Sequence, residues 1–158
     1  MEFKKNVKPF FEYENEVYAL QTLQGTGIAP QIIKCDENSY CIIMEKITIP
    51  PLDLNAIYDA GDVEILNYAK AEYYVRSILD EKGVSYWGWK NEHQFYDRVS
   101  GKLMIVDFGG DCSKKKPRTL KERLDNDFSF INDIHYTKND RYICYKKELS
   151  NNSFYFAL

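Results

Sequence analysis

The stretch "MIVDFGG" (residues 104–110) decides the fold that the sequence predicts. Its apolar residues predict a buried strand, and an aspartate, a phenylalanine and two glycines follow where the strand ends. Asp-Phe-Gly at the end of a strand is an arrangement that phosphoryl-transfer sites use to hold magnesium against ATP. Asp107 is therefore the first candidate site residue, and the rest of the chain must be tested for the other parts of such a site.

The composition predicts one folded domain over residues 1–158. Hydrophobic residues make up 44% of the chain and aromatic residues 15%, which excludes a disordered protein. A net charge of −3 gives no reason to expect a nucleic-acid partner. No apolar run approaches the roughly 20 residues that span a bilayer, so we expect no membrane association. Four cysteines without CxxC spacing, and no signal peptide, favour reduced thiols and a cytoplasmic location.

Hydrophobic periodicity and turn residues predict an α+β fold. The predicted elements, in chain order, are a strand fragment at the start, a helix over 9–24, a hairpin around "DENS", a long helix over about 62–80, a second hairpin around "DRVSGK" and a helix over about 119–134. The prolines Pro50 and Pro51 interrupt the chain after the first hairpin. The tail from Tyr136 onward carries no firm assignment.

This order of elements, with "CIIMEKI" and "VDFGG", resembles the protein-kinase-like superfamily over nearly residues 1–135. The small size and the "GIAP" segment look most like the RIO and Bud32-type kinases. The resemblance implies a minimal kinase-like fold with a reduced N-lobe over 1–49 and a truncated helical C-lobe over 50–158. It also implies ATP and Mg²⁺ as the cofactors, if any cofactor is bound.

The resemblance implies a lysine and a glutamate that pair beside the nucleotide. "MEFK" stands at the place of the family's lysine-bearing strand, which makes Lys4 the candidate. "NEVYALQTL" is similar to the family's αC helix and makes Glu16 the partner, with Glu14 as the alternative. The alternative is that these residues are ordinary surface charges.

The hinge and the metal ligand are implied in the same way. "CIIMEKI" is similar to the family's hinge strand, with Met44 as gatekeeper and Glu45 and Lys46 after it, where backbone groups bind adenine. Asp107 is the implied magnesium ligand. The alternative reading is a core strand that ends in charges and an aspartate that caps it.

The catalytic loop departs from the family pattern. Gly88 occupies the general-base position, 19 residues before Asp107, and His93 occupies the position of the second metal ligand, Asn. Glycine has no group that accepts a proton, and histidine suits magnesium poorly because magnesium prefers oxygen ligands. A glycine-rich loop is not expected either, since only three residues precede Lys4. We therefore predict that no catalytic set is intact.

Two further groups of residues are candidates for structural or regulatory roles. Tyr86, Trp87 and Trp89 replace polar loop residues of the family and are interpreted as an apolar interaction patch. The alternative is that they fill the space left by missing parts of the family's fold. Asp127 in "LDNDFSFIND" resembles the aspartate that braces the catalytic loop, with Asp125 as the alternative.

These features together favour a catalytically impaired, kinase-like binding or regulatory module (a pseudokinase). The expected partner is a protein, either a kinase or a kinase substrate, and one form of the hypothesis is a decoy that modulates a kinase pathway. Two alternatives remain open: an ATP-dependent phosphotransferase that uses Lys4, Glu16 and Asp107, and an unrelated interaction domain. The Asn-, Lys- and Tyr-rich composition fits an AT-rich genome, such as that of a large DNA virus, with action in the host cytoplasm.

Overall fold

A computed structural model describes residues 1–118 of the protein. Its strands and helices confirm the predicted α+β class. In chain order they are β1 (Glu2–Asn6), α1 (Phe10–Thr22), β2 (Ile32–Asp36), β3 (Cys41–Glu45), α2 (Leu54–Ala60), α3 (Asp62–Lys82), β4 (Val84–Tyr86), β5 (Gln94–Asp97), β6 (Lys102–Ile105) and β7 (Cys112–Lys114). The helix predicted over 119–134 and the tail lie outside the described residues. Within residues 1–118, no helix has both the length and the apolar character needed to cross a bilayer.

The first three strands form an antiparallel sheet in the order β1-β3-β2. Ile42 of the central strand faces Lys5 of β1 on one side and Cys35 of β2 on the other. Because both edges of β3 are paired, this strand is the most buried of the three. The hairpin predicted around "DENS" is the β2–β3 pair.

Helix α1 follows the predicted periodicity. Its buried residues include Tyr13, Glu16 and Leu20, which repeat at steps of three and four and therefore share one face. Glu16 is the one charged side chain on that face. A glutamate at a core position needs a partner, and the functional site supplies one.

Helix α3 packs through the centre of the described structure and ends at Gly83. This glycine has a left-handed backbone (φ +71°), and a Cβ on it would lie 2.6 Å from the carbonyl oxygen of Lys115. The shorter helix α2 was not predicted. Its N-cap is Asp53, whose carboxylate accepts a hydrogen bond from the Ala56 amide at 3.0 Å.

Two strand pairs carry the second half of the described chain. β5 and β6 form the hairpin that was predicted around "DRVSGK". β4 and β7, which were not predicted, pair antiparallel with Tyr86 opposite Cys112. The strand predicted from "MIVDFGG" ends at Ile105, so that Asp107 lies in the loop that follows β6.

The core lies between α1, the sheet, α3 and the β5–β6 hairpin. Its fully buried side chains come from each of these elements and from the loop after β6. They include Leu20, Leu23, Ile42, Ile65, Ile105 and Phe108. Phe108 therefore anchors the loop that carries Asp107 into the core.

The basic residues Lys115 and Arg118, which follow β7, are fixed by ion pairs. Buried Asp80, near the end of α3, accepts hydrogen bonds from the Lys115 ammonium and from the Arg118 guanidinium, the latter at 2.6 Å. The backbone amide of Arg118 also donates to the Asp80 carbonyl at 2.9 Å. These bonds hold the segment after β7 against α3.

Removing the Asp80 carboxylate tests this anchor. Asp80→Ala leaves Lys115 and Arg118 without their acceptor and is expected to lower the free energy of unfolding by about 2 kcal/mol. Glu81→Ala is the matched control, because Glu81 is exposed and has no ion pair within residues 1–118. Urea unfolding followed by tryptophan fluorescence measures both variants, and equal stabilities would contradict the assignment.

Candidate functional site

A cleft of about 430 Å³ lies between the three-stranded sheet and the β5–β6 hairpin. Its apolar wall consists of Phe3, Pro30, Met44, Ile47, Phe95 and Val106. Its polar end consists of Lys5, Glu16, His93 and Asp107, and Glu45 and Lys46 complete the lining. A cleft of this size, mostly apolar with a few converging polar groups, is typical of a small-molecule site.

Lys5 is the centre of the polar end. Its ammonium nitrogen lies 3.1 Å from Glu16 Oε2 and 2.8 Å from Asp107 Oδ1. The three residues come from β1, from α1 and from the loop after β6, so the ion pairs join three separate parts of the fold. Burial would lower the pKa of Lys5, but the charges of the two carboxylates and their hydrogen bonds raise the pKa above its usual value.

The prediction of Lys4 as the site lysine was wrong by one residue. Side chains alternate along a strand, and the cleft is lined by Phe3 and Lys5, whereas Lys4 is exposed and does not line it. The buried Val7 continues the same alternation and is the sequence feature that could have identified Lys5. Glu14, the alternative partner, is exposed.

Glu16 fixes the loop that follows β6. Its side chain is 2% exposed, and Oε2 accepts a hydrogen bond from the Gly109 amide at 2.6 Å. Burial raises the pKa of Glu16, and the neighbouring Lys5 and the Gly109 amide act against that rise. A Cβ at Gly109 would lie 3.3 Å from Glu16 Oε2, so this contact depends on a close approach of the backbone.

Asp107 has a left-handed backbone (φ +67°), which is uncommon for a residue other than glycine. Oδ1 bonds to Lys5, and Oδ2 lies 3.1 Å from His93 Nε2. Burial acts to raise the pKa of Asp107, but the hydrogen bond and the charge of Lys5, with His93 and Lys90, lower it overall. Asp107 is therefore a carboxylate at neutral pH, with both oxygens engaged.

Gly88 contacts His93, which lines the cleft. His93 Nδ1 is 3.0 Å from the carbonyl oxygen of Gly88, which also accepts the Lys90 amide at 2.8 Å. The Tyr86 hydroxyl lies 2.7 Å from that oxygen and 2.8 Å from the carbonyl oxygen of Val106. Gly88 thus contributes its carbonyl group, which contacts both His93 and Tyr86. The Tyr86 hydroxyl in turn connects β4 to Val106, next to Asp107.

The Tyr86 ring occupies the space where a side chain at residue 88 would stand. A Cβ at Gly88 would lie 2.8 Å from the Tyr86 hydroxyl oxygen and 2.9 Å from the ring. Such distances are shorter than real Cβ contacts allow. A carboxylate therefore has no room at this position while Tyr86 keeps its place, which is the physical reason for the glycine.

The interpretation of three aromatic residues as a surface patch is corrected by their burial. Trp87 is 55% exposed, but Tyr86 and Trp89 are buried, and their rings pack edge to face at 5.3 Å. Trp89 Nε1 donates to the Tyr86 carbonyl oxygen at 3.1 Å. Two of the three aromatic residues therefore belong to the core. Asp127 and its alternative Asp125 lie outside the described residues.

The hinge residues of the sequence analysis do lie at the cleft. Met44 is buried in the wall, and Glu45 and Lys46 are exposed beside it. The backbone amide of Glu45 donates to the Gln31 carbonyl, and that of Lys46 to the Met1 carbonyl at 3.2 Å. The backbone donors of these two residues are therefore already bonded within the protein.

No family model matches the sequence, and no curated protein matches it. Among solved structures, the crystal structure of WbdD is similar in fold, with a TM-score of 0.52 and 16% sequence identity. The match covers 88% of this chain and 34% of the WbdD chain, so this chain spans about a third of that protein's length. A likeness at this identity concerns the fold alone.

These findings contradict the resemblance to the protein-kinase-like superfamily. The assignment to the RIO and Bud32 type is withdrawn with it. The resemblance rested on motifs of three to seven residues in a plausible order, and such short motifs occur in strands and loops of unrelated proteins. The chain is an α+β protein whose described fold is similar to part of WbdD.

Replacing the central lysine tests the polar end of the cleft. Lys5→Met keeps the length of the side chain but leaves buried Glu16 without its cation, so we expect a loss of about 3 kcal/mol in the free energy of unfolding. Lys4→Met is the matched control on the exposed neighbour and should change stability by less than about 0.5 kcal/mol. Equal losses in the two variants would contradict the placement of Lys5.

The raised pKa of Lys5 predicts that the stabilising effect of this residue is lost at strongly alkaline pH. A lysine whose pKa is higher in the folded state contributes stability in full below its ordinary value of 10.5, and loses it as the pH rises through the higher folded value. The difference in unfolding free energy between wild type and Lys5→Met should therefore stay constant from pH 8 to about 10 and shrink above that range. Urea titrations at each pH measure it, and a difference already lost at pH 9 would refute the pKa direction.

Adding one methyl group at residue 88 tests the contact with Tyr86. Gly88→Ala forces the ring or the loop to move and is expected to cost about 1–3 kcal/mol. Gly110→Ala is the control in the same region, because a Cβ there meets nothing closer than 3.7 Å. Thermal and urea unfolding compare the two, and an unchanged Gly88→Ala variant would show that the site has room for a side chain.

Proposed function

We propose that the protein is a non-catalytic binding module whose cleft takes a purine nucleoside or nucleotide. The single observation that carries this proposal is the continuity of the cleft, in which an apolar slot leads directly to the ion pairs of Lys5 with Glu16 and Asp107. A planar base fits the apolar part, and a sugar offers hydroxyl groups to the polar part.

The apolar part of the cleft supports the proposal that a planar base binds there. Met44 comes from the sheet and Val106 from the loop after β6, and Phe95 of β5 adds an aromatic ring to the lining. Flat aromatic ligands bury their two faces against side chains of this kind. The half-buried Ile47 continues the wall beyond β3.

The polar part supports the absence of catalysis. General-base work needs a group that is free to take a proton from the substrate. Glu16 is buried and bonded to Lys5, and both oxygens of Asp107 are in contact with Lys5 or His93. The two ring nitrogens of His93 lie near the Gly88 carbonyl oxygen and near Asp107 Oδ2. Gly88 offers a carbonyl group only.

An ATP-dependent phosphotransferase stays the second candidate. Lys5 between two carboxylates is the observation that favours it, because a positioned lysine can hold phosphate oxygens. This alternative requires Asp107 to release Lys5 or His93. A protein partner and a cytoplasmic location stay predictions, and the exposed Trp87 is the surface feature that favours the partner.

Thermal unfolding with and without adenosine, ADP and ATP tests the proposal. A ligand that binds only the folded protein stabilises it by RT ln(1 + [L]/Kd), or about 2.7 kcal/mol at a hundredfold excess over Kd. We expect a concentration-dependent rise in Tm for the wild type. Ile47→Glu places a charge on the apolar wall and should remove most of that rise, because a base must then pack against a carboxylate.

Val99→Glu is the matched control. It makes the same change of an apolar residue to glutamate at a position that is 97% exposed and does not line the cleft. Its ligand-induced rise in Tm should equal that of the wild type. Equal responses of the two variants would show that the ligand does not bind in this cleft. Release of ADP from ATP by the wild type would favour the phosphotransferase.

A further inference from the structure

We infer that the cleft binds a nucleoside or another planar aromatic ligand of low charge, and that it does so without a divalent cation. Lys5 and His93 each contact one oxygen of Asp107, so a metal ion at this carboxylate would lie directly beside the Lys5 ammonium and would compete with both partners. This inference rests on the proposed function and specifies its ligand.

The donor set does not fit magnesium. Asp107 Oδ1 is 2.8 Å from the Lys5 ammonium and Oδ2 is 3.1 Å from His93 Nε2. Mg²⁺ requires near-octahedral oxygen ligands at about 2.0–2.1 Å, so the carboxylate would have to leave one of these partners to reach an ion. Within residues 1–118, no group of three or more His, Cys, Asp or Glu side chains converges in a way that could hold a metal.

The partners of Asp107 are themselves fixed. Lys5 is held by Glu16 at 3.1 Å, and Glu16 in turn by the Gly109 amide at 2.6 Å. His93 is held through Nδ1 by the Gly88 carbonyl at 3.0 Å. Moving either partner away from Asp107 would therefore break a second contact, and in the case of Lys5 it would leave Glu16 buried without a counter-charge.

The charges of the lining nearly cancel. The lining contains two lysines, Lys5 and Lys46, and three carboxylates, those of Glu16, Glu45 and Asp107, together with the imidazole of His93. A triphosphate brings several negative charges into this lining and meets no excess of positive charge, whereas a nucleoside brings none. Its sugar hydroxyls can accept from the Lys5 ammonium and donate to Asp107 without displacing either ion pair.

Calorimetric titration of the full chain separates the ligands. Adenosine is expected to bind with the same Kd in EDTA and in millimolar Mg²⁺, and about tenfold more tightly than ATP under either condition. ATP that binds more tightly than adenosine, or only with Mg²⁺, would overturn the inference while leaving the proposed function in place. If adenosine, ADP and ATP all fail to bind, the proposed function fails and the ligand class fails with it.

A titration with Mn²⁺ alone, read by electron paramagnetic resonance, decides the metal question independently of any nucleotide. We expect no saturable binding to the wild type at millimolar Mn²⁺. His93→Asp replaces the imidazole beside Asp107 by a second carboxylate and is expected to gain Mn²⁺ binding, with circular dichroism to check that this variant folds. Saturable binding to the wild type that is lost in Asp107→Asn would overturn the metal-free site.

Discussion

The ammonium group of Lys5 is the interaction on which the described site depends. Glu16 lies on the buried face of α1, where an ionised carboxylate is costly unless it is paired and hydrogen-bonded. Lys5 supplies the charge, and the Gly109 amide supplies the hydrogen bond. Through this one glutamate, the sheet and the first helix are joined to the loop after β6, and the same ammonium also fixes the carboxylate of Asp107.

The unusual backbone of Asp107 follows from these constraints. A left-handed conformation in a residue with a side chain persists only where the surroundings determine it. Here the next residue, Phe108, is buried in the core, and Gly109 is tied to Glu16. His93 closes the other side, and it is positioned by the Gly88 carbonyl. The result is a polar end of the cleft in which the charged side chains are already paired with one another.

Periodicity predicted much of this fold and little of the site. α1, α3 and both hairpins have enough apolar repeats to be found in the sequence, whereas β4 and β7 have three residues each and pair across a long separation. The choice of Lys4 over Lys5 failed because the strand is short and only Val7 indicates which side is buried. Tyr86 and Trp89 were wrongly predicted to lie on the surface, because aromatic residues outside a clear periodic pattern can be buried as readily as exposed. The family resemblance failed because short motifs carry little information by themselves.

The ion pairs of Lys5 also relate the site to the order in which the protein can assemble. One partner lies 11 residues away in the sequence and the other 102 residues away. The chain entropy lost in closing the longer loop must be offset by packing of the intervening elements, so the second contact depends on a docked β6. Neither the segment before Pro50 nor the segment after it contains a complete cleft. The two segments form the site only by folding together, and a bound ligand would act as a bridge between them.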